Sequence, residues 1–202
     1  MNYLGMDASG KHLSIILSLN GKKDEIFLPD CSMRHSVIIM QEIDNILKRN
    51  NAKVDDFDFI SSVIGPGSFT GIRIGLATVK GLLFGKEIPV KPITSFDTIA
   101  YNTKENKILC VIDALHDNFY TQKYVDGKRK GEPEFLPLNK VLELQNEYKI
   151  YSFEPLTKLN STVVSLFDGF RLASEDEGNL ITAKELYPLY VRKSQAEEQG
   201  CK

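Results

Sequence analysis

Residues 3–21 read YLGMDASGKHLSIILSLNG and open the chain with a recognisable pattern. Aliphatic runs on either side of a Ser-Gly turn predict two strands, over residues 3–6 and 12–19. Asn20-Gly21 supplies two residues that tolerate positive φ, as a two-residue hairpin requires, so residues 25–28 are expected to return as a third strand. The chain is therefore predicted to begin with a β-meander.

The same pattern recurs 106 residues later. At this offset Asp7-Ala8 aligns with Asp113-Ala114, and Gly21-Lys22 aligns with Gly127-Lys128. Such a repeat indicates an internal duplication. Two lobes that each begin with a meander and continue with alternating helix and strand fit a duplicated α/β architecture with mixed sheets. We expect an N-terminal lobe over residues 1–104, a shortened C-terminal lobe over 105–186 and a tail over 187–202.

Apolar spacing places the remaining elements. Isoleucines at 39, 43 and 46 predict a helix over 33–49, for which Ser32 is a candidate cap, and Ser95 is a candidate cap for a helix over 96–102. The other predicted elements are strands at 57–64, 90–93 and 148–153, a helix from the loop at 65–71 to residue 84, and a helix at 139–146.

The loop GPGSFTGIRIG, residues 65–75, leads into the second helix. Free backbone N–H groups at a helix start attract anions, so phosphate binding is one interpretation. The loop lacks the Lys-Ser/Thr of a P-loop and the spacing of a dinucleotide fingerprint, so a structural turn remains the alternative. The candidate phosphate-binding residues are Asp7, Ser9, Gly65, Gly67 and Ser68. In the second lobe, Leu115 stands where a second phosphate loop needs a small residue.

The second helix carries two stripes. Its apolar stripe, formed by Ile72, Leu76, Val79 and Leu83, is expected to face the sheet of its own lobe. Gly71, Gly75 and Thr78 form a small-residue stripe that another backbone could approach closely. The pattern does not distinguish a neighbour in the same lobe from a partner chain.

Composition excludes several classes of protein. The chain has 202 residues, with 26% charged and 42% hydrophobic residues, as in an average folded globule. A net charge of −2 gives no overall attraction for nucleic acid, and three widely separated cysteines predict neither a disulfide framework nor a zinc site. The N-terminus has no basic segment followed by an apolar one, and no apolar run approaches membrane-spanning length, so we expect a cytoplasmic protein without membrane association.

The chain resembles the bacterial TsaB family, also called YeaZ, the dimerisation subunit of the complex that makes threonylcarbamoyladenosine at position 37 of tRNA. The resemblance is carried by GMDAS at 5–9, His35-Ser36, the loop at 65–75 and the tail PLYVRKSQAE at 188–197. It implies an actin-like (ASKHA, RNase H-like) fold of two lobes. It also implies a noncatalytic chain, because His35 lacks the second metal-binding histidine of the catalytic relative TsaD, and Ile39 fills that place.

The resemblance further implies the partners. The helices matching 33–49 and 70–84 would form the interface with TsaD, or pair two copies of the chain when TsaD is absent. The implied interface residues are His35, Ile39, Ile43, Gly71, Arg73, Gly75 and Thr78. The ATPase TsaE would dock on the TsaB–TsaD pair, and Arg73, Lys80 and Arg192 would extend a tRNA surface in the complex.

No catalytic residue, metal or cofactor is expected in this chain, and ATP and metal are expected in the partner subunits. Two other functions stay open. One is an actin-like ATPase or kinase that uses Asp7 and the loop at residue 65. The other is a metallopeptidase, which the lone His35 disfavours.

Overall fold

The structure is a computed structural model that describes residues 1–31 and 33–192. Within these residues, ten strands form two five-stranded sheets accompanied by five α-helices. The strands are β1 Tyr3–Asp7, β2 Leu13–Leu19, β3 Lys22–Leu28, β4 Phe59–Val63, β5 Val90–Ile93, β6 Lys107–Asp113, β7 Asn118–Val125, β8 Lys128–Pro137, β9 Lys149–Ser152 and β10 Ser161–Val163. The helices are α1 His35–Arg49, α2 Phe69–Leu82, α3 Ser95–Ala100, α4 Leu138–Leu144 and α5 Leu166–Glu175.

The two sheets share one topology. The first has the order β3-β2-β1-β4-β5, and the second has the corresponding order β8-β7-β6-β9-β10. In each sheet the three meander strands pair antiparallel, and the last two strands add in parallel. The predicted duplicated two-lobe α/β fold with mixed sheets is therefore confirmed.

The lobes differ in one helix. α1 and α4 both follow a meander, and α3 and α5 both follow the last strand of a sheet. α2, which connects β4 to β5, has no counterpart between β9 and β10, where residues 153–160 are described and form turns. The second lobe is reduced at this connection.

The main core lies between the first sheet and helices α1 and α2. The apolar stripe of α2 is buried there with Ile39, Ile43 and Ile46 of α1, as the spacing predicts. On the opposite face of this sheet, Phe170 and Ala173 of α5 pack against Tyr3 and Phe59. The predicted second lobe ends at residue 186. Two parts of it, α5 and Leu186, pack on the first sheet, so the chain returns to the first sheet before that boundary.

Of the two predicted helix caps, one needs correction and the other falls outside the described residues. Thr94 caps α3, not Ser95: its hydroxyl accepts from the Asp97 N–H, while Asp97 accepts from the Thr94 N–H. The helix accordingly begins one residue earlier than predicted. Ser32, the candidate cap of α1, lies outside the described residues. No helix among the described residues has both the length and the apolar character needed to cross a membrane.

Candidate functional site

The candidate phosphate-binding residues lie together around a cleft between the two lobes. Ser9, Gly67 and Ser68 line this cleft, which has a volume of about 360 Å³. The Ser68 N–H donates to the Ser9 carbonyl oxygen at 2.7 Å and joins the two segments. Asp7 and Gly65 are buried next to them. The structure therefore brings the residues of two distant motifs together, as the interpretation of a shared site requires.

The Asp7 carboxylate already has partners within the chain. Asp7 is 1% exposed, accepts from the Ser9 N–H at 2.8 Å and lies 3.1 Å from Nε2 of His12. Burial alone would raise the pKa of Asp7, but the His12 ring and the Ser9 hydrogen bonds outweigh it and lower this pKa. Burial likewise opposes charge on His12, yet the Asp7 carboxylate raises the pKa of the ring. The two side chains form a buried pair in which each favours the charged form of the other.

Two glycines of the loop at 65–75, Gly67 and Gly71, are explained by contacts inside the first lobe. A Cβ atom at Gly67 would lie 2.2 Å from the Ser9 carbonyl oxygen, and one at Gly71 would lie 2.0 Å from the Ala8 carbonyl oxygen. Only glycine allows the loop to approach the turn after β1 so closely. The structural-turn interpretation of this loop therefore has direct support.

Ser68 caps α2. Its hydroxyl accepts from the Gly71 N–H at 3.2 Å, which satisfies one of the free N–H groups at the helix start. A phosphate at this helix terminus would have to displace or share that bond. The Ser68 hydroxyl and the Asp7 carboxylate are thus both engaged in holding their own loops.

The second lobe presents an unusual turn to the same cleft. Leu115, His116 and Asp117 all have positive φ, with values of 67°, 55° and 58°. Asp113 accepts from the Leu115 N–H at 2.8 Å, as Asp7 does from Ser9. Leu115 is 66% exposed and lines the cleft with its apolar side chain. The position that would need glycine for a phosphate loop therefore carries a bulky residue in a strained conformation.

We expect the isolated chain to bind magnesium-ATP with a Kd weaker than about 1 mM. The reason is that Asp7 and Ser68 already have partners and Leu115 occupies the facing turn. Isothermal titration measures the affinity, and Leu115→Gly tests the contribution of that side chain. A micromolar Kd with magnesium-dependent hydrolysis would instead favour the ATPase or kinase function.

The proposed interface residues need correction. His35, Ile39 and Ile43 are each 1% exposed and belong to the interior of the first lobe, where His35 Nε2 lies 2.8 Å from the His12 carbonyl oxygen. Gly71 and Gly75 are buried next to Ala8 of the same chain. A partner cannot contact the side chains of His35, Ile39 and Ile43 in this structure, and the two glycines are covered by their own lobe. Thr78 is half-buried, and Arg73 is exposed.

The exposed side of the two helices is a different set of residues. Met33 in the turn before α1, Val37 and Met40 on α1, and Phe84 after α2 are between 52% and 93% exposed. The spacing of 33, 37 and 40 puts the first three on one side of the helix. We call Met33, Val37 and Met40 the apolar patch. Phe84 lies at the other end of the helical layer, close in sequence to Lys86, which pairs with Asp55 beyond the C-terminus of α1.

Comparison with known proteins places the chain in a family. A family model described as TsaD, tRNA N6-adenosine threonylcarbamoyltransferase, matches residues 27–173. The tRNA threonylcarbamoyladenosine biosynthesis protein TsaB of Haemophilus influenzae is 26% identical, over 95% of this chain and 94% of its own length. TsaB of Buchnera aphidicola from Baizongia pistaciae is 30% identical over 69% of this chain and 67% of its length. The chain belongs to the TsaB (YeaZ) family.

Solved structures of the TsaB family agree with the fold. YeaZ from Pseudomonas aeruginosa superimposes with a TM-score of 0.69 and 20% identity, covering 94% of this chain and 99% of that one. A Pseudomonas aeruginosa protein described as similar to peptidase YEAZ gives a TM-score of 0.73 and 21% identity, covering 95% and 99%. The actin-like two-lobe fold is thereby shown.

The tail motif of this TsaB family member packs on α2. The Tyr190 ring stacks on Phe69 at 4.5 Å, and Arg73 Nε donates to the Tyr190 hydroxyl at 2.8 Å. Lys80 lies 4.8 Å from the centre of the Tyr187 ring. Arg73 and Lys80, two of the residues expected to extend a tRNA surface, therefore each contact a tail aromatic ring. Residues 193–197 of the motif lie outside the described residues.

Sequence reasoning missed a buried polar network between the lobes. Asp97 of α3 accepts from the Tyr124 hydroxyl at 2.7 Å and from Arg129 Nε at 2.9 Å. Burial would raise the pKa of Asp97, but hydrogen bonds and charge from Arg129 lower it. The pattern Thr94-x-x-Asp97 before an apolar pair is a capping-box signal that could have identified Asp97. Its partners on β7 and β8 have no local signal in the sequence.

Proposed function

We propose that this chain is a noncatalytic subunit of the machinery that makes threonylcarbamoyladenosine in tRNA. In this role it binds TsaD and supports transfer of a threonylcarbamoyl group to N6 of adenosine 37. TsaE would dock on the resulting pair, tRNA would contact the assembled complex, and two copies of the chain would pair when TsaD is absent. ATP and metal would bind in the partner subunits, and all of these steps would take place in the cytoplasm.

The apolar patch carries this proposal. Exposed large apolar side chains close together on one surface typically mark an interaction site. α1 and α2 pack against each other, so the patch belongs to one continuous helical layer. The patch lies at the start of α1, one of the two helices that the family resemblance assigns to the interface, but its exposed side chains differ from the residues predicted there.

The cleft supports a noncatalytic role. Asp7 is paired with His12, and the Ser68 hydroxyl caps α2. His35, at the position of a metal ligand in the resemblance, is buried beneath the His12 backbone, with Ile39 in the second position. Within residues 1–31 and 33–192, no three His, Cys, Asp or Glu side chains are grouped so that they could hold a metal ion. Asp7, Ser68 and His35 therefore serve to stabilise the first lobe.

Val37→Glu and Met40→Glu are expected to weaken binding to TsaD by at least about tenfold each. A charge at either position would be buried against the partner, and an unpaired charge at an interface costs more than the roughly 1.4 kcal/mol that a tenfold change represents. Biolayer interferometry with immobilised TsaD measures the Kd. Because both side chains are exposed, both variants should keep the wild-type circular dichroism spectrum.

Leu142→Glu serves as the matched control, because Leu142 is also an exposed apolar residue but lies on α4 of the second lobe. It should bind TsaD like the wild type. Normal binding by both patch variants would place the interface elsewhere. A separate assay adds the chain to TsaD, TsaE, ATP, threonylcarbamoyl donor and tRNA. Product formed by the chain without TsaD would contradict the noncatalytic role.

A further inference from the structure

Residues 187–192 contact both lobes and so link them through noncovalent contacts. We call this segment the clasp. It begins beside Leu186, which is buried in the core of the first lobe. From there it runs past the start of α2 to β7 and β8 of the second lobe. Pro66, Phe69 and Ile72 flank it on one side, and Tyr120 flanks it on the other.

The first anchor of the clasp is Tyr190. Its ring is nearly parallel to that of Phe69, with 7° between the planes. The Arg73 guanidinium lies 5.3 Å from the Phe69 ring centre and 5.7 Å from that of Tyr190. The Leu189 N–H also donates to the Ile64 carbonyl oxygen at 2.8 Å. All these partners belong to the first lobe.

The second anchor is formed by Val191 and Arg192. Val191 packs against a cluster that includes Ile112 and Tyr120 of the second sheet. The Arg192 guanidinium lies 4.8 Å from the centre of the Phe135 ring on β8. Consecutive residues of the clasp thus hold opposite lobes.

The other side-chain links between the lobes differ in character. Lys11 and Glu154 form an ion pair of 3.3 Å across the cleft, but both are largely exposed, so this pair contributes little. The permanent connection is formed by buried contacts: Phe96 and Ile99 of α3 pack in the cluster of the second sheet, and α5 packs on the first sheet. The buried Asp97 carboxylate and Arg129 belong to this connection. The clasp is intermediate in burial between the exposed ion pair and the buried connection. Its contacts are extensive, but Tyr187 and Tyr190 remain exposed.

We propose that residues 187–192 are a releasable clasp that holds the two lobes together and keeps the cleft between them closed. When Tyr190 leaves Phe69 and Arg73, the second-lobe contacts of Val191 and Arg192 lose their fixed attachment to α2. The cleft then widens by movement of the lobes about the buried contacts of α3 and α5, which include the Asp97–Arg129 link. Any process that engages the clasp or its seat on α2 would change the width of the cleft.

Hydrogen-exchange mass spectrometry of the full chain tests the proposal. Tyr190→Ala and Arg192→Ala cut the clasp at opposite ends. Each should raise exchange about tenfold, equivalent to about 1.4 kcal/mol, in the cleft segments 9–12, 113–118 and 152–154. Exchange in β1 should stay unchanged, which separates opening of the cleft from global destabilisation.

Tyr187→Ala is the control, because Tyr187 contacts Lys80 on the first lobe and should leave the cleft segments unchanged. The double variant Tyr190→Ala/Arg192→Ala should exchange no faster than the faster single variant, since both residues act in one link. Increased exchange confined to residues 187–192, in both single variants, would overturn the proposal. So would additive effects in the double variant. The measurement uses the free chain, so its outcome is independent of TsaD binding.

Discussion

Replacing His12 with leucine is expected to lower the free energy of unfolding by about 3–5 kcal/mol near pH 6. The substitution leaves the buried Asp7 carboxylate with hydrogen bonds from Ser9 but without a counter-ion. A buried charge without a counter-ion is among the most destabilising single changes. Urea denaturation monitored by circular dichroism measures the loss.

The double variant Asp7→Asn/His12→Leu is the matched control. Asparagine keeps an oxygen that can accept from the Ser9 N–H, but it carries no charge. The double variant should therefore be more stable than His12→Leu alone, because replacing both members of a buried pair removes the unpaired charge. If the double variant is less stable than the single one, the carboxylate is not the source of the destabilisation.

The same pair predicts a pH dependence of stability. The pKa of His12 is raised in the folded chain, so its contribution is complete below the unfolded value of about 6.5 and is lost as pH rises through the folded-state pKa. The pKa of Asp7 is lowered, so its contribution is complete above about 3.9 and is lost as pH falls through the folded-state value. The stability difference between wild type and the double variant should be largest between about pH 4 and pH 6.5. A difference that is constant from pH 4 to pH 9 would show that the pair carries no charge.

The duplicated meander was predictable because its signals are local. Asn20-Gly21 and Gly127 adopt the positive φ that their hairpins require, with values of 51°, 79° and 74°. The helix α5 and the three-residue strand β10 were not predicted. A strand of three residues has too few positions to show a period, and α5 is stabilised by packing on a sheet that begins more than a hundred residues earlier.

The sequence pointed to residues that line the cleft, whereas five of the residues that it suggested for an interface are buried. The stripe of isoleucines on α1 marks the side that faces the core, so the partner surface should be sought among Met33, Val37 and Met40 instead. The small-residue stripe of α2 did not indicate whether it faces its own lobe or a partner chain. A sequence pattern shows that something approaches a glycine closely, and only the three-dimensional structure shows that Ala8 does so.

Gly71→Ala is expected to destabilise the chain by at least about 2 kcal/mol, because the new methyl group would overlap the Ala8 carbonyl oxygen. Backbone, unlike a flexible side chain, cannot move away cheaply. The higher helix propensity of alanine, worth about 1 kcal/mol, offsets only part of this cost. The midpoint of thermal unfolding should fall by about 2–4 °C for each kcal/mol lost.

Gly75→Ala and Gly81→Ala complete the series on the same helix. A Cβ at Gly75 would lie 3.8 Å from that of Ala8, an ordinary contact, and one at Gly81 meets no atom within 4 Å. Both should therefore keep or raise the stability, by up to about 1 kcal/mol at Gly81. The predicted order of midpoints is Gly81→Ala, then wild type, with Gly71→Ala lowest. If Gly71→Ala matched Gly81→Ala, the loop and the turn after β1 would not be in close contact, and the glycine could again be assigned to a partner surface.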